Sequence, residues 1–227
     1  MSDAQERLRS VIVGCGGIAR AHARVLAECD EFDLVAVCDL KEDLAREFAG
    51  AFEGVEPYSD LRMMLERERP DVVSVVTPTD SHARLTIAAA EAGVRGICCE
   101  KPMATCMAEG REMVAACRKH GAALIINHQR RMGPPLVEMR SLIEQGAIGE
   151  VYLIRGSCAG DTLSDGTHLI DSIRWLAGDG DVKWVLGQVY REEPDPSEAR
   201  SPGYTPSGGY RYGHPVETGG MGVFEFA

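Results

Sequence analysis

"VIVGCGGIARAH" (residues 11–22) passes from an apolar run into a helical pattern through three glycines. Gly14, Gly16 and Ala19 stand in the spacing G-x-G-x-x-A. Gly14 permits a tight turn, Gly16 lets the backbone come close to an anion, and small Ala19 lets the helix pack against the strand. The helix N-terminus then turns its N–H groups and its positive dipole end toward that anion. Such a strand–turn–helix holds a dinucleotide pyrophosphate when it opens an α/β run, and it is a plain turn elsewhere. The residues that follow decide between the two.

Strand and helix alternate from here. "SVIVG" (10–14) leads into apolar residues at steps of three and four, Ile18, Ala21, Val25, Leu26 and Cys29. "FDLVAVCD" (32–39) is a second strand, and "EDLAREFAG" (42–50) is a helix stopped by Gly50. "SDLRMMLERE" (59–68) is a helix starting on a Ser or Asp cap. Val-rich "DVVSVVTP" (71–78) predicts a strand covered on both faces. Helix "SHARLTIAAAEAG" (81–93), strand "VRGICCE" (94–100), helix "TCMAEGREMVAACRKHG" (105–121) and strand "AALIINH" (122–128) complete the half. Regular alternation implies parallel strands with right-handed crossovers, so residues 1–128 read as an open α/β dinucleotide-binding domain.

After residue 128 the pattern changes. The stretch "PPLVEMRSLIEQGAIG" (134–149) gives one helix, with Pro at its start and Gly146 after its end. Then come a strand-like run "EVYLIRG" (150–156), a helix over 167–178, a strand over 182–191 and a strand beginning at "GVFEFA" (222–227). Residues 192–216, rich in Pro, Gly, Ser and charge, read as a loop; its Tyr204, Tyr210, Tyr212 and His214 could stack on a sugar or dock a subunit, though a surface loop is the plainer reading. Residues 129–227 thus read as a partial α+β domain with a mainly antiparallel sheet, for substrate or for oligomerisation.

Composition narrows the function classes. The 227 residues are 44% hydrophobic and 26% charged, ordinary globular values. A formal charge of −11 argues against nucleic acid, whose phosphates demand clustered Lys and Arg, and against anionic membranes. No run approaches a membrane span, and "MSDAQERLRS" has no secretory apolar core. The eight cysteines form no CxxC pair, so reduced thiols in a cytoplasmic protein are expected and no metal site is.

Asp39 ends the second strand about 20 residues beyond the glycines, where an acid accepts the hydroxyls of an adenine ribose. It repels a 2′-phosphate and so favours NAD; Lys41 keeps NADP open. The plainer role for Asp39 is a helix cap. Gly17 and Ile18 adjoin the turn as further cofactor-binding positions, although Gly17, like Cys15, reads as loop filler rather than chemistry.

With the glycine turn in place, "VVSVVTPTDSHARLTIAAAEAGVRGICCEKPMA" (72–104) resembles the Gfo/Idh/MocA family of NAD(P)-dependent oxidoreductases. The matching residues are Thr77-Pro78 with His82, Gly93, and Glu100-Lys101-Pro102; "EMRSLIEQGAIGEVYLIRG" (138–156) and "DGTHLIDSIRWLAGD" (165–179) extend the likeness over about residues 10–190. The resemblance implies a Rossmann domain and hydride transfer between a nicotinamide and a hydroxyl of a sugar, inositol or related diol. It implies that Thr77, Pro78, His82, Glu100 and Pro102 line the cofactor, with a cis bond before Pro102. Lys101 would polarise the hydroxyl, Glu100 would tune the lysine, and His168 would exchange the proton. The family places its acid four residues before that histidine; here Ser164 stands there, leaving Asp165 as candidate acid or helix cap. Asp171 matches a further, partly structural acid. Cys98 and Cys99 read as strand filler.

The stretch between "EVYLIRG" and "DGTHLID" is shorter than the family's, and the family continues for roughly another hundred residues beyond "GVFEFA". A fragment of a longer enzyme, or a short homologue that pairs through its second domain, is therefore expected. Two other classes stay open: an NAD-dependent glycosidase working by transient oxidation, and a non-catalytic nucleotide-binding protein.

Overall fold

In the computed structural model of the chain, residues 6–190, 210, 211, 214, 215, 217 and 219–227 are described. Tyr204, Tyr212 and most of the loop expected over 192–216 lie outside them. The chain divides into two units, Met1–Asn127 and His128–Ala227.

The first unit is an all-parallel sheet of six strands in the order β3-β2-β1-β4-β5-β6. Its strands are β1 (Leu8–Val13), β2 (Phe32–Cys38), β3 (Glu56–Tyr58), β4 (Val72–Val75), β5 (Gly96–Glu100) and β6 (Ala123–Asn127). Helices α1 (Gly17–Glu28), α2 (Glu42–Ala49), α3 (Leu61–Glu68), α4 (His82–Glu91) and α5 (Met107–His120) cross between them. Side chains alternate across each strand, so β1 feeds two apolar clusters. Val11 and Val13 join Met64 of α3, Leu85 of α4 and Met113 of α5; Ile12 joins Ala19 and Ala23 of α1 and Phe48 of α2. Continuous apolar strands are what burial on both faces demands.

The chain leaves β1 toward β2 and β3 and returns on the other side as β4, β5 and β6. That reversal opens a crevice beyond the carboxyl ends of β1 and β4, the place where such sheets bind ligands. α3 starts on Asp60, whose carboxylate accepts from the Met63 N–H at 2.7 Å.

The second unit holds α6 (Pro134–Glu144), α7 (Thr167–Leu176) and an antiparallel pair, β7 (Val182–Tyr190) with β10 (Gly219–Phe226). The two-residue strands β8 (Tyr210–Arg211) and β9 (His214–Pro215) pair with each other. Arg131 locks this unit: its guanidinium donates twice to Asp171, at 2.7 Å each, and twice to Asp179, at 2.8 and 3.0 Å. It also lies over Trp175 at 5.1 Å, with Arg140 over the same ring at 4.7 Å.

One expected strand is absent. "EVYLIRG" has no ladder partner among the described residues, and Tyr152 is 94% exposed. A β-prone run becomes a strand only when another strand satisfies its backbone. Unexpected elements include β3, of three residues, a π-helical turn over Thr162–Gly166 before α7, and the pair β8–β9, which stands inside the segment read as a loop and takes in Tyr210 and His214.

Candidate functional site

The glycine turn has the geometry its sequence requires. Gly14 adopts φ +99°, and a Cβ there would stand 2.4 Å from the Val76 carbonyl oxygen. The turn is pinned by Gly14 N–H to the Cys38 carbonyl at 2.7 Å and by Val76 N–H to the Val13 carbonyl at 2.8 Å. Gly16 differs: a Cβ there would meet nothing within 4 Å. The space in front of it is open, as close approach of a phosphate needs. Gly17 and Ile18 are exposed in the first turn of α1.

Asp39 ends β2 beside this turn. One carboxylate oxygen accepts from the Cys15 N–H and the other from the Lys41 N–H, both at 2.9 Å. These two bonds fix the carboxylate, and each oxygen keeps a lone pair for a further donor. A cleft of about 1250 Å³ opens here, bounded among others by Gly14, Gly16, Asp39, Lys41, Thr77 and Pro78. Of the positions expected to hold a dinucleotide, Gly14, Gly16, Asp39, Thr77 and Pro78 line this cleft, while Gly17, Ile18, His82, Glu100, Lys101 and Pro102 are not among its lining. The open face of Gly16 and the acid at β2 fit that group; Gly14, Gly16 and α1 would hold the pyrophosphate and Asp39 the ribose.

His82 sits behind the cleft. Its ring is 1% exposed and bridges two carbonyls, with Nε2 2.9 Å from Thr77 O and Nδ1 2.9 Å from Pro102 O. Both partners accept, so a neutral ring donates to one of them at a time. Any part His82 plays in cofactor binding therefore runs through the two turns it joins.

The Lys101–Pro102 bond is cis. Glu100, the last residue of β5, is 8% exposed. One carboxylate oxygen accepts from His22 Nε2 of α1 at 3.0 Å and from Asn127 Nδ2 of β6 at 2.6 Å; the other accepts from the Lys101 N–H at 3.3 Å. Burial pushes its pKa up, but the His22 and Asn127 hydrogen bonds and the His22 charge outweigh it and hold the carboxyl below its ordinary 4.5. The neighbouring thiols are no rivals for chemistry. Cys99 is buried and pushed up to about 12, chiefly by burial, and Cys98 is raised for the same reason. A thiolate nucleophile needs the opposite shift.

In the second unit His168 is buried on α7, 4% exposed, with the His128 ring edge-on at 5.7 Å between centroids. Asp165 is half-exposed and pairs with Arg130 at 3.1 Å. The buried acid near His168 in sequence is Asp161, which no motif marked. Its carboxylate accepts from the Ser164 N–H at 2.9 Å and the Ser164 hydroxyl at 2.6 Å, and Ser164 lies one turn before His168. Asp171 serves Arg131. His22, Asn127 and His128 carry no local signature of these contacts. In sequence Asn127 and Arg131 read as residues able to reach the crevice; Asn127 donates to Glu100, and Arg131 to Asp171 and Asp179.

A family model described as "Oxidoreductase family, NAD-binding Rossmann fold" (GFO_IDH_MocA) matches residues 8–128. The chain is 32% identical over 191 residues to the D-apiose dehydrogenase of Paraburkholderia graminis, covering 77% of this chain and 51% of that one. It is 29% identical over 205 residues to the D-glucoside 3-dehydrogenase of Escherichia coli, covering 82% and 58%. The WlbA dehydrogenase from Bordetella pertussis, solved in complex with NADH and UDP-GlcNAcA, superposes with a TM-score of 0.73 at 28% identity, covering 81% and 62%. The chain therefore spans little more than half the length of the curated relatives it matches.

Proposed function

Because the chain belongs to the Gfo/Idh/MocA oxidoreductase family, we propose that it is an NAD-dependent dehydrogenase acting on a secondary hydroxyl of a sugar or related polyol. The observation that carries this is the cleft at the reversal of the sheet, where Gly14, Gly16 and Asp39 meet. Relatives named for D-apiose and D-glucoside support the substrate class. When bound, the nicotinamide supplies the hydride acceptor. The Lys101 ammonium, at the carboxyl end of a parallel strand, orients the hydroxyl and favours its ionisation. His168 takes the hydroxyl proton as the carbon is oxidised, an imidazole being able to exchange protons near neutrality.

Asp39 directs the choice of cofactor. A carboxylate fixed by two backbone N–H groups repels a 2′-phosphate, so NAD is preferred over NADP despite Lys41. Self-association through the exposed β7–β10 pair completes the reading.

The test is a panel of sugars and polyols offered with NAD and with NADP, following the absorbance of the reduced cofactor, with Lys101→Ala in parallel. NAD-linked turnover that falls at least about 100-fold in Lys101→Ala is expected. Cofactor binding with no substrate oxidised would favour a non-catalytic nucleotide-binding protein. Failure to bind either cofactor would sink the reading.

A further inference from the structure

Glu100 presents a physical problem. A carboxylate 8% exposed at the end of a central strand is expensive. Buried ion pairs rarely stabilise a fold better than apolar residues of the same size would. Stability is thus a poor reason for an acid here, and its neighbours supply a better one. Donors from three places converge on the carboxylate: His22 on α1, Asn127 on β6, and the backbone N–H of Lys101 itself. Glu100 accepts in each case, so His22 Nε2 carries the hydrogen. The 3.4 Å approach of the Asn127 amide to that nitrogen is then a contact between two donors, not a bond. The Cys98 thiol feels the same charge and is raised in part by it.

The turn after Glu100 is held on its other side as well. His82 Nδ1 meets the Pro102 carbonyl at 2.9 Å, while its Nε2 meets Thr77 beside the cleft. Lys101 is therefore the residue between two buried clamps. His22 also lies on α1, the helix whose first turn closes the glycine loop.

We propose that His22 and Asn127 are positioning residues for Lys101. They keep the Glu100 carboxylate ionised and immobile directly before the lysine, and His22 ties that lysine to the helix that receives the dinucleotide pyrophosphate. The proposal rests on the role given to Lys101 above. Its pH dependence follows from Glu100. A carboxyl depressed in the folded state contributes stability that is fully present above the ordinary 4.5 and is lost as pH falls through the lower folded value.

The test uses the full chain and needs no substrate. Carbon NMR of labelled glutamate carboxyls follows the titration of Glu100, assigned by Glu100→Gln. Reductive methylation with quantitative peptide mass spectrometry follows the reactivity of Lys101. Lys41, Lys119 and Lys183 are the internal controls. In His22→Leu the Glu100 titration should move to higher pH and Lys101 should label several-fold faster, with the control lysines unchanged. His22→Gln keeps an N–H donor and should restore most of both; Asn127→Leu should act like His22→Leu. If His22→Leu leaves both the Glu100 titration and the Lys101 rate as in the parent, the proposal is overturned. Equal acceleration at all four lysines, which general loosening would produce, overturns it too. Failure of the sugar panel with these shifts present would instead sink the dehydrogenase reading and leave the clamp standing.

Discussion

A methyl group added at Gly14 would stand 2.4 Å from a backbone oxygen in a left-handed conformation, whereas the same group at Gly16 would meet nothing within 4 Å. Folding demands the first glycine, whereas nothing in the fold demands the second, which the proposed function assigns to ligand approach. Gly14→Ala should cost on the order of 2 kcal/mol or more, since neither the strain nor the clash with Val76 can relax cheaply. Gly16→Ala should leave stability within about 0.5 kcal/mol. It should nonetheless weaken NADH binding at least about tenfold, because the new Cβ occupies the face that a phosphate needs. Thermal unfolding and NADH fluorescence titration of both variants separate the effects; a Gly16→Ala protein that binds NADH like the parent would remove the pyrophosphate from this turn. The turn at Gly14 was legible because its demand is local, a few residues of spacing, and the position of Asp39 because it ends the strand that follows. His22 was not: its partner Glu100 lies 78 positions away, and only the fold brings them to 3.0 Å.

Elements were legible in proportion to how far local pattern alone decides them. β1, β2, β4, β5 and β6 announce themselves as apolar runs bounded by Gly, Asp or Pro, and α1–α5 by helical spacing and their stops. β3 does not, because "EPY" is short and polar and its existence depends on the free edge of β2, where a proline is tolerated. "EVYLIRG" fails in the opposite way, with strand propensity but no partner strand. In the second unit, side chains hold the elements where backbone pairing is sparse. The Arg131 fork joins Asp171 on α7 to Asp179 beyond it and covers Trp175. Its own pKa is raised, first by the Asp171 hydrogen bonds. Arg131→Met should strand two carboxylates, one of them 12% exposed, and destabilise this unit by about 3 kcal/mol. Arg131→Lys should recover only part, since an ammonium cannot reproduce the fork. Both tryptophans of the chain, Trp175 and Trp184, lie in this unit, so tryptophan emission during urea unfolding reads it alone. An unchanged emission midpoint in Arg131→Met would show that the fork does not hold the unit.

At the scale of the whole molecule, burial is unevenly shared. Both apolar clusters belong to the first unit, while β7 is exposed along all nine residues. The register of β7 with β10 sets Leu186 opposite Val223 and Gln188 opposite Met221. Alternation then puts Trp184, Leu186, Met221 and Val223 on one face, where Leu186 is 69% and Met221 68% exposed. Two strands in isolation are marginal, and an apolar face of this kind marks an interaction surface. The charge of −11 works against association over distances of about a Debye length, so salt should promote it. Sedimentation velocity over a hundredfold range of concentration should therefore show reversible self-association that strengthens with salt. Leu186→Glu, a change at an exposed position, should weaken it at least tenfold (about 1.4 kcal/mol or more) with the circular dichroism of the chain unaltered. A parent chain that sediments as a monomer at every concentration and salt would mean that this face is not a contact between copies, and its cover would have to be sought in other chemistry.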